Sequence, residues 1–85
     1  MIQYKGGDGS SIEKAVIILN TKSDVEGVDA EWRYLDSHYK GWHLDEQTLI
    51  FEKDGQYDIM TIKLSDGTKK ELWFDITNFY GREDE

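Results

Sequence analysis

Eighty-five residues make one domain, because a chain of this length buries only about 60–65% of the surface it exposes when unfolded and has no material for two cores. A hydrophobic content of 38%, with 13% aromatics, suffices for a packed interior and excludes a disordered chain; the lack of cysteine excludes disulfides and thiolate metal clusters and fits a reducing compartment. Ten Lys plus Arg against eighteen Asp plus Glu leave a net charge of −8, which repels phosphate backbones and anionic lipid, so neither nucleic acid nor a membrane is an expected partner.

In chain order, residues 1–11 form a Gly-rich leader, Gly6-Gly7-Asp8-Gly9-Ser10-Ser11, that is expected to be a turn or a flexible segment. Met1 to Gly6 carry no signal-peptide run, and Ala15 to Leu19 are too few to span a bilayer, so the expected location is the cytoplasm. The leader's amides are a weak candidate for an anion cradle, since the Gly-Lys-Ser/Thr ending of a phosphate loop is missing and the leader precedes a strand where a phosphate loop follows one. The rest of the chain divides into a single domain over 12–81 and an acidic tail over 82–85. Glu13 to Asn20 are β-branched and apolar, as expected of the first strand.

Ser23 followed by Glu26 has capping-box spacing. Val25, Val28, Trp32, Leu35 and Tyr39 then recur at helical steps, which predicts one helix over 24–40 with that stripe facing the core. Gly41 is its expected stop signal. Gly27 inside the helix costs stability, so either the first turn frays or something packs closely there.

Two Asp-Gly dipeptides, Asp54-Gly55 and Asp66-Gly67, divide the remainder into a three-stranded meander. A two-residue Asp54-Gly55 turn sets Phe51 opposite Asp58 and Leu49 opposite Met60. At Asp66-Gly67 a three-residue loop with a bulge is predicted, because it sets Leu64 opposite Thr68 and Met60 opposite Leu72, collecting Leu49, Phe51, Met60, Ile62, Leu64, Leu72, Phe74 and Ile76 on the face beneath the helix. The expected fold is therefore α+β: one helix packed on a mostly antiparallel four-stranded sheet, order β-α-β-β-β.

The opposite face collects Ile50, Tyr57, Ile59 and Trp73. Such an apolar patch marks a contact site unless the leader or the Asn78-Phe79-Tyr80-Gly81 segment folds over it. Together with Tyr34 and His38 on the helix these residues form the candidate interaction face.

His38 and His43 do not share a helical face, so their spacing does not support a metal site, and no cofactor is implied. Asp58 and Asp75 are the carboxylates to watch, because burial alone would carry one into a catalytic range; a buried one would need a partner such as Lys63, Lys70 or Arg33. No nucleophile stands in a recognisable elbow or triad context.

The layout Tyr4…Gly6-Gly7-Asp8-Gly9-Ser10-Ser11-x-Glu13-Lys14-Ala15-Val16, then Gly27-Val28-x-Ala30-Glu31-x-x-Tyr34-Leu35, then Tyr57-Asp58 and Leu64-x-Asp66-Gly67, ending Phe74-Asp75-Ile76-x-x-Phe79-Tyr80-Gly81, resembles a group of small uncharacterised bacterial proteins over nearly the whole chain. The resemblance implies a stand-alone α+β unit and no site residues. The expected function is a non-catalytic protein-binding or regulatory module, acting on a protein partner or by self-association: an adaptor, a small regulator or an immunity-type protein set against a basic target. The alternative is a small hydrolase or isomerase using Asp58, Asp75 or His43. A structural subunit of a larger assembly is the third class.

Overall fold

The computed structural model describes residues 2–81, so the expected tail over 82–85 lies outside the described residues. Strands β1 (Gln3–Gly6) and β2 (Val16–Leu19) precede helix α1 (Asp24–His38), which is followed by β3 (His43–Glu52), β4 (Gly55–Lys63) and β5 (Lys69–Asp75). The sheet has five strands in the order β1-β2-β5-β4-β3, with β2 parallel to β5 and every other pair antiparallel. The fold class is thus α+β as expected, but the four-stranded β-α-β-β-β layout is corrected to a five-stranded mixed sheet. The added strand lies inside the expected leader, where Tyr4 pairs with Ile18 and Gly6 with Val16. No helix of the described residues is long and apolar enough to cross a membrane.

The rest of the leader is a closed loop. Gly7 and Gly9 amides donate to Ala15 and Lys14 carbonyls at 3.3 and 2.7 Å, Ser10 N–H donates to Asp8 Oδ1, and the Gly9 carbonyl accepts from Trp73 N–H at 2.8 Å. Those amides are consumed internally, which argues against an anion cradle. The first strand is shorter than Glu13 to Asn20, because Glu13 and Lys14 sit in the turn that lets the leader reach β5.

Ser23 caps α1 through its hydroxyl, which accepts from Glu26 N–H at 3.3 Å, and Glu26 returns the bond by accepting from Lys22 N–H. The helix stops at His38 rather than Lys40. Tyr39 turns extended, its N–H still donating to Leu35 O, so that its half-buried ring packs on the core, and Gly41 adopts positive φ two residues further on.

The buried face of α1 differs from the expected stripe. Gly27, Ala30, Glu31, Tyr34 and Leu35 are inside, while Val25, Val28 and Trp32 are 76%, 44% and 43% exposed. At about 100° per residue this is a roll of a quarter turn or more. Two contacts fix it: the Tyr4 hydroxyl donates to Ala30 O at 2.7 Å, and the ring of Phe79 lies directly against Gly27, where a side chain would not fit.

The sheet register matches the expectation at one hairpin and corrects it at the other. Met60 stands opposite Leu72, and Leu64 N–H donates to Thr68 O at 2.8 Å around a loop in which Gly67 has φ +88°. At the first hairpin Glu52 pairs with Gly55, so the two-residue loop is Lys53-Asp54 and not Asp54-Gly55. Leu49 therefore faces Asp58 and Phe51 faces Gln56. The shift preserves parity, so Leu49 and Phe51 remain on the helix side with Met60, Ile62, Leu72 and Phe74.

The core joins Val16, Ile18, Leu35, Met60, Ile62, Leu72, Phe74, Ile76 and Phe79. Leu49 and Phe51 do not join it, being 46% and 60% exposed. A helix about 10 Å across covers about two strand spacings of ~4.8 Å, and β3 at the sheet edge lies beyond that reach.

Candidate functional site

Because α1 leaves the inner face of the edge strand β3 bare, that face and the near flank of the helix, both carrying exposed apolar side chains, bound an apolar groove by construction. On the far flank of the helix Ala30 and Tyr34 meet Tyr4 of β1; on the near flank Glu31 meets Asp58 of β4, and Trp32 packs on Trp42, just before β3, with ring centroids 4.9 Å apart. Val28 precedes Trp32 by one turn and shares its flank. Opposite stand Leu44, Leu49 and Phe51 of β3, and Tyr80 closes the end against Phe51 at 5.4 Å. These residues include most of the large hydrophobic side chains that the molecule exposes.

Beneath the groove lies a pair of carboxyls. Glu31 and Asp58 are each 2% exposed. A hydrogen bond joins them, and Gln47 Nε2, on the exposed strand β3, donates to Asp58 Oδ2 at 2.8 Å. Burial, then the hydrogen bond to Asp58 and the charge of Asp58, push the Glu31 carboxyl up to about 10 from 4.5, so Glu31 keeps its proton at neutral pH. Beyond the bond the two carboxyls share, no donor among the described residues reaches Glu31 Oε2 or Asp58 Oδ1. The ion pairs of the described residues, Arg33–Asp29 and Lys69–Asp45, lie elsewhere, so the expected cationic partner of a buried Asp58 is replaced by an acid and an amide. Sequence reasoning marked Asp58 from its register but missed Glu31, because a glutamate on a helix ordinarily points outward.

The residues of the expected interaction face are divided. Tyr57 and Ile59 are buried on the outer side of the sheet, with Ile50 and Trp73 half-buried beside them and Tyr57 and Trp73 edge to face at 6.4 Å. Two residues of the expected covers lie on the inner side. Gly9 packs on Leu72 and Val16 of the inner side, and Phe79 fills the core. Tyr34 and His38 are on the other layer: Tyr34 is buried edge-on to Phe74, and the exposed His38 ring stacks on it at 4.0 Å with Nδ1 2.9 Å from Tyr34 O.

His43 opens β3 opposite Lys63, whereas His38 stacks on Tyr34 at the end of α1. Asp75 is occupied as a strand-end cap, its Oδ1 accepting from Thr77 N–H and Oγ1 at 3.0 and 2.6 Å. On the β1 side a shallow cleft of about 760 Å³ is lined by Tyr4, Lys22, Glu26, Asp29 and Arg33. No family model matches the chain, and no similar curated protein or solved structure was found.

Proposed function

We propose that the protein is a non-catalytic binding module that takes an extended, basic segment of a partner protein as a sixth strand along β3, with the partner's apolar side chains in the groove between β3 and α1. The observation that carries this reading is that, among the described residues, β3 pairs on one side only and bears exposed Leu49 and Phe51 beside its free backbone. A free edge supplies main-chain hydrogen bonds for strand addition, and side-chain recesses supply specificity. The net charge of −8, with Glu46, Glu52 and Asp54 along this edge, favours a cationic segment over a second copy of the same acidic chain. The Glu31–Asp58 pair is sealed from solvent, which speaks for the binding role over the hydrolase or isomerase reading.

The test is titration of the ¹⁵N-labelled protein with a ten-residue peptide of alternating valine and lysine. Amide shifts and slowed hydrogen exchange are expected along Gln47 to Phe51, weakening with added salt and lost in Phe51→Ser. Unperturbed β3 amides overturn the reading, as does a concentration-dependent dimer joined through β3, which assigns the edge to a second copy.

A further inference from the structure

The buried acid pair has no evident structural use. Two carboxyls of this kind inside a core ordinarily cost stability relative to apolar side chains of the same size, and among the described residues one shared proton and one amide donor serve all four oxygens. Asp58 lies one strand in from the free edge; on β3 Leu49 stands directly opposite it, and the exposed Gln47, two residues away, reaches it with one Nε2 bond at 2.8 Å. An ammonium or guanidinium brings three to five donors where Gln47 offers one in use.

We propose that the Glu31–Asp58 pair is the specificity recess of this groove and accepts one lysine or arginine side chain of the docked strand, Gln47 swinging aside and the proton of Glu31 leaving to solvent. This rests on the strand-docking reading above. Roughly 10 Å, two strand spacings, separate an added strand from β4, a distance that a lysine or arginine and the Asp58 side chain span together. The product is a carboxylate pair bridged by one buried cation, an ammonium supplying three donors and a guanidinium up to five to the four oxygens; the proton passes to the buffer. Asp58 is the titratable group whose charge acts on Glu31; at the level of Asp58, β3 presents Leu49 and Gln47 and β5 presents Phe74, none of them ionisable. Burial holds Glu31 protonated in the free protein, which makes the exchange of a proton for a cation measurable.

Two ten-residue strand peptides that differ at one central position of their valine face, lysine in one and norleucine in the other, test this by calorimetry at pH 7 in two buffers of different ionisation enthalpy. The lysine peptide is expected to bind at least tenfold more tightly and to release close to one proton per complex. Glu31→Gln is expected to keep the amide perturbations along β3 while abolishing the proton release and most of the lysine preference. Gln47→Ala is expected to widen the preference for the lysine peptide over the norleucine peptide severalfold. Equal binding of both peptides without proton release, with β3 still perturbed, overturns the recess and leaves strand docking standing. Failure of both peptides to perturb β3 overturns docking itself.

Discussion

Gly27 shows how one residue sets the roll of the helix. A methyl group there would lie within the Phe79 ring, so α1 reaches its depth in the sheet only because position 27 has no side chain. Gly27→Ala gains about 1 kcal/mol in helix propensity and loses more to overpacking, which typically costs about 1–3 kcal/mol. We expect a net destabilisation of about 1 kcal/mol in urea melts, against the sign that propensity alone gives. Pairing it with Phe79→Leu should cost less than the two single changes added together, because the two side chains contend for one space. The sequence marked Gly27 as a place of either fraying or close packing; the close contact with Phe79 and the Ser23 cap settle it in favour of packing. What stayed hidden was the direction of that contact. Phe79 arrives from 52 residues further along the chain, beyond the reach of any local pattern.

At the scale of elements, strand parity was legible and coverage was not. Alternation along β4 and β5, with the Asp66-Gly67 bulge, is a local property, and it placed Met60, Ile62, Leu72 and Phe74 on one face correctly. The same alternation put Leu49 and Phe51 on that face, yet burial depends on how far one helix extends over five strands, and the position of β3 in the sheet is not written in its own residues. The helix stripe misled for a related reason. Val25, Val28 and Trp32 satisfy the period, but Gly27 and Ala30 permit closer approach to the sheet, and the Tyr4 hydroxyl anchors that side. Strand β1 was lost within a Gly-rich stretch, since four residues that pair on one edge carry little pattern of their own. Such exposed apolar positions should contribute to binding far more than to folding. Leu49→Ser and Phe51→Ser are each expected to change stability by less than about 1 kcal/mol, measured by thermal or urea unfolding, while removing the peptide-induced shifts along β3.

Over the whole molecule two effects act on stability as pH rises, and salt separates them. The first is self-repulsion of a chain with net charge −8, which grows as acids ionise and is screened within a Debye length of about 8 Å at 0.15 M salt. The second is Glu31, whose folded carboxyl titrates near 10 and whose unfolded carboxyl titrates near 4.5. Between those values the folded protein holds a proton that the unfolded chain has lost. The unfolded state then binds fewer protons, so stability falls as pH rises through that window and is least penalised by this group below pH 4.5. At about 1.4 kcal/mol per unit the penalty at pH 7 is on the order of 3 kcal/mol, a large share of the roughly 5–15 kcal/mol that holds a domain together. Burial shields Glu31 from salt, whereas the surface charges are exposed to it. Urea unfolding from pH 5 to 9 in 0.5 M salt should therefore retain a downward slope in the wild type. In Glu31→Gln that slope should be nearly flat and the protein more stable at pH 8, since the amide needs no proton to remain neutral. Equal slopes in the two proteins would mean that Glu31 ionises freely in the folded state, and that the acid pair is not the proton-holding element of the core.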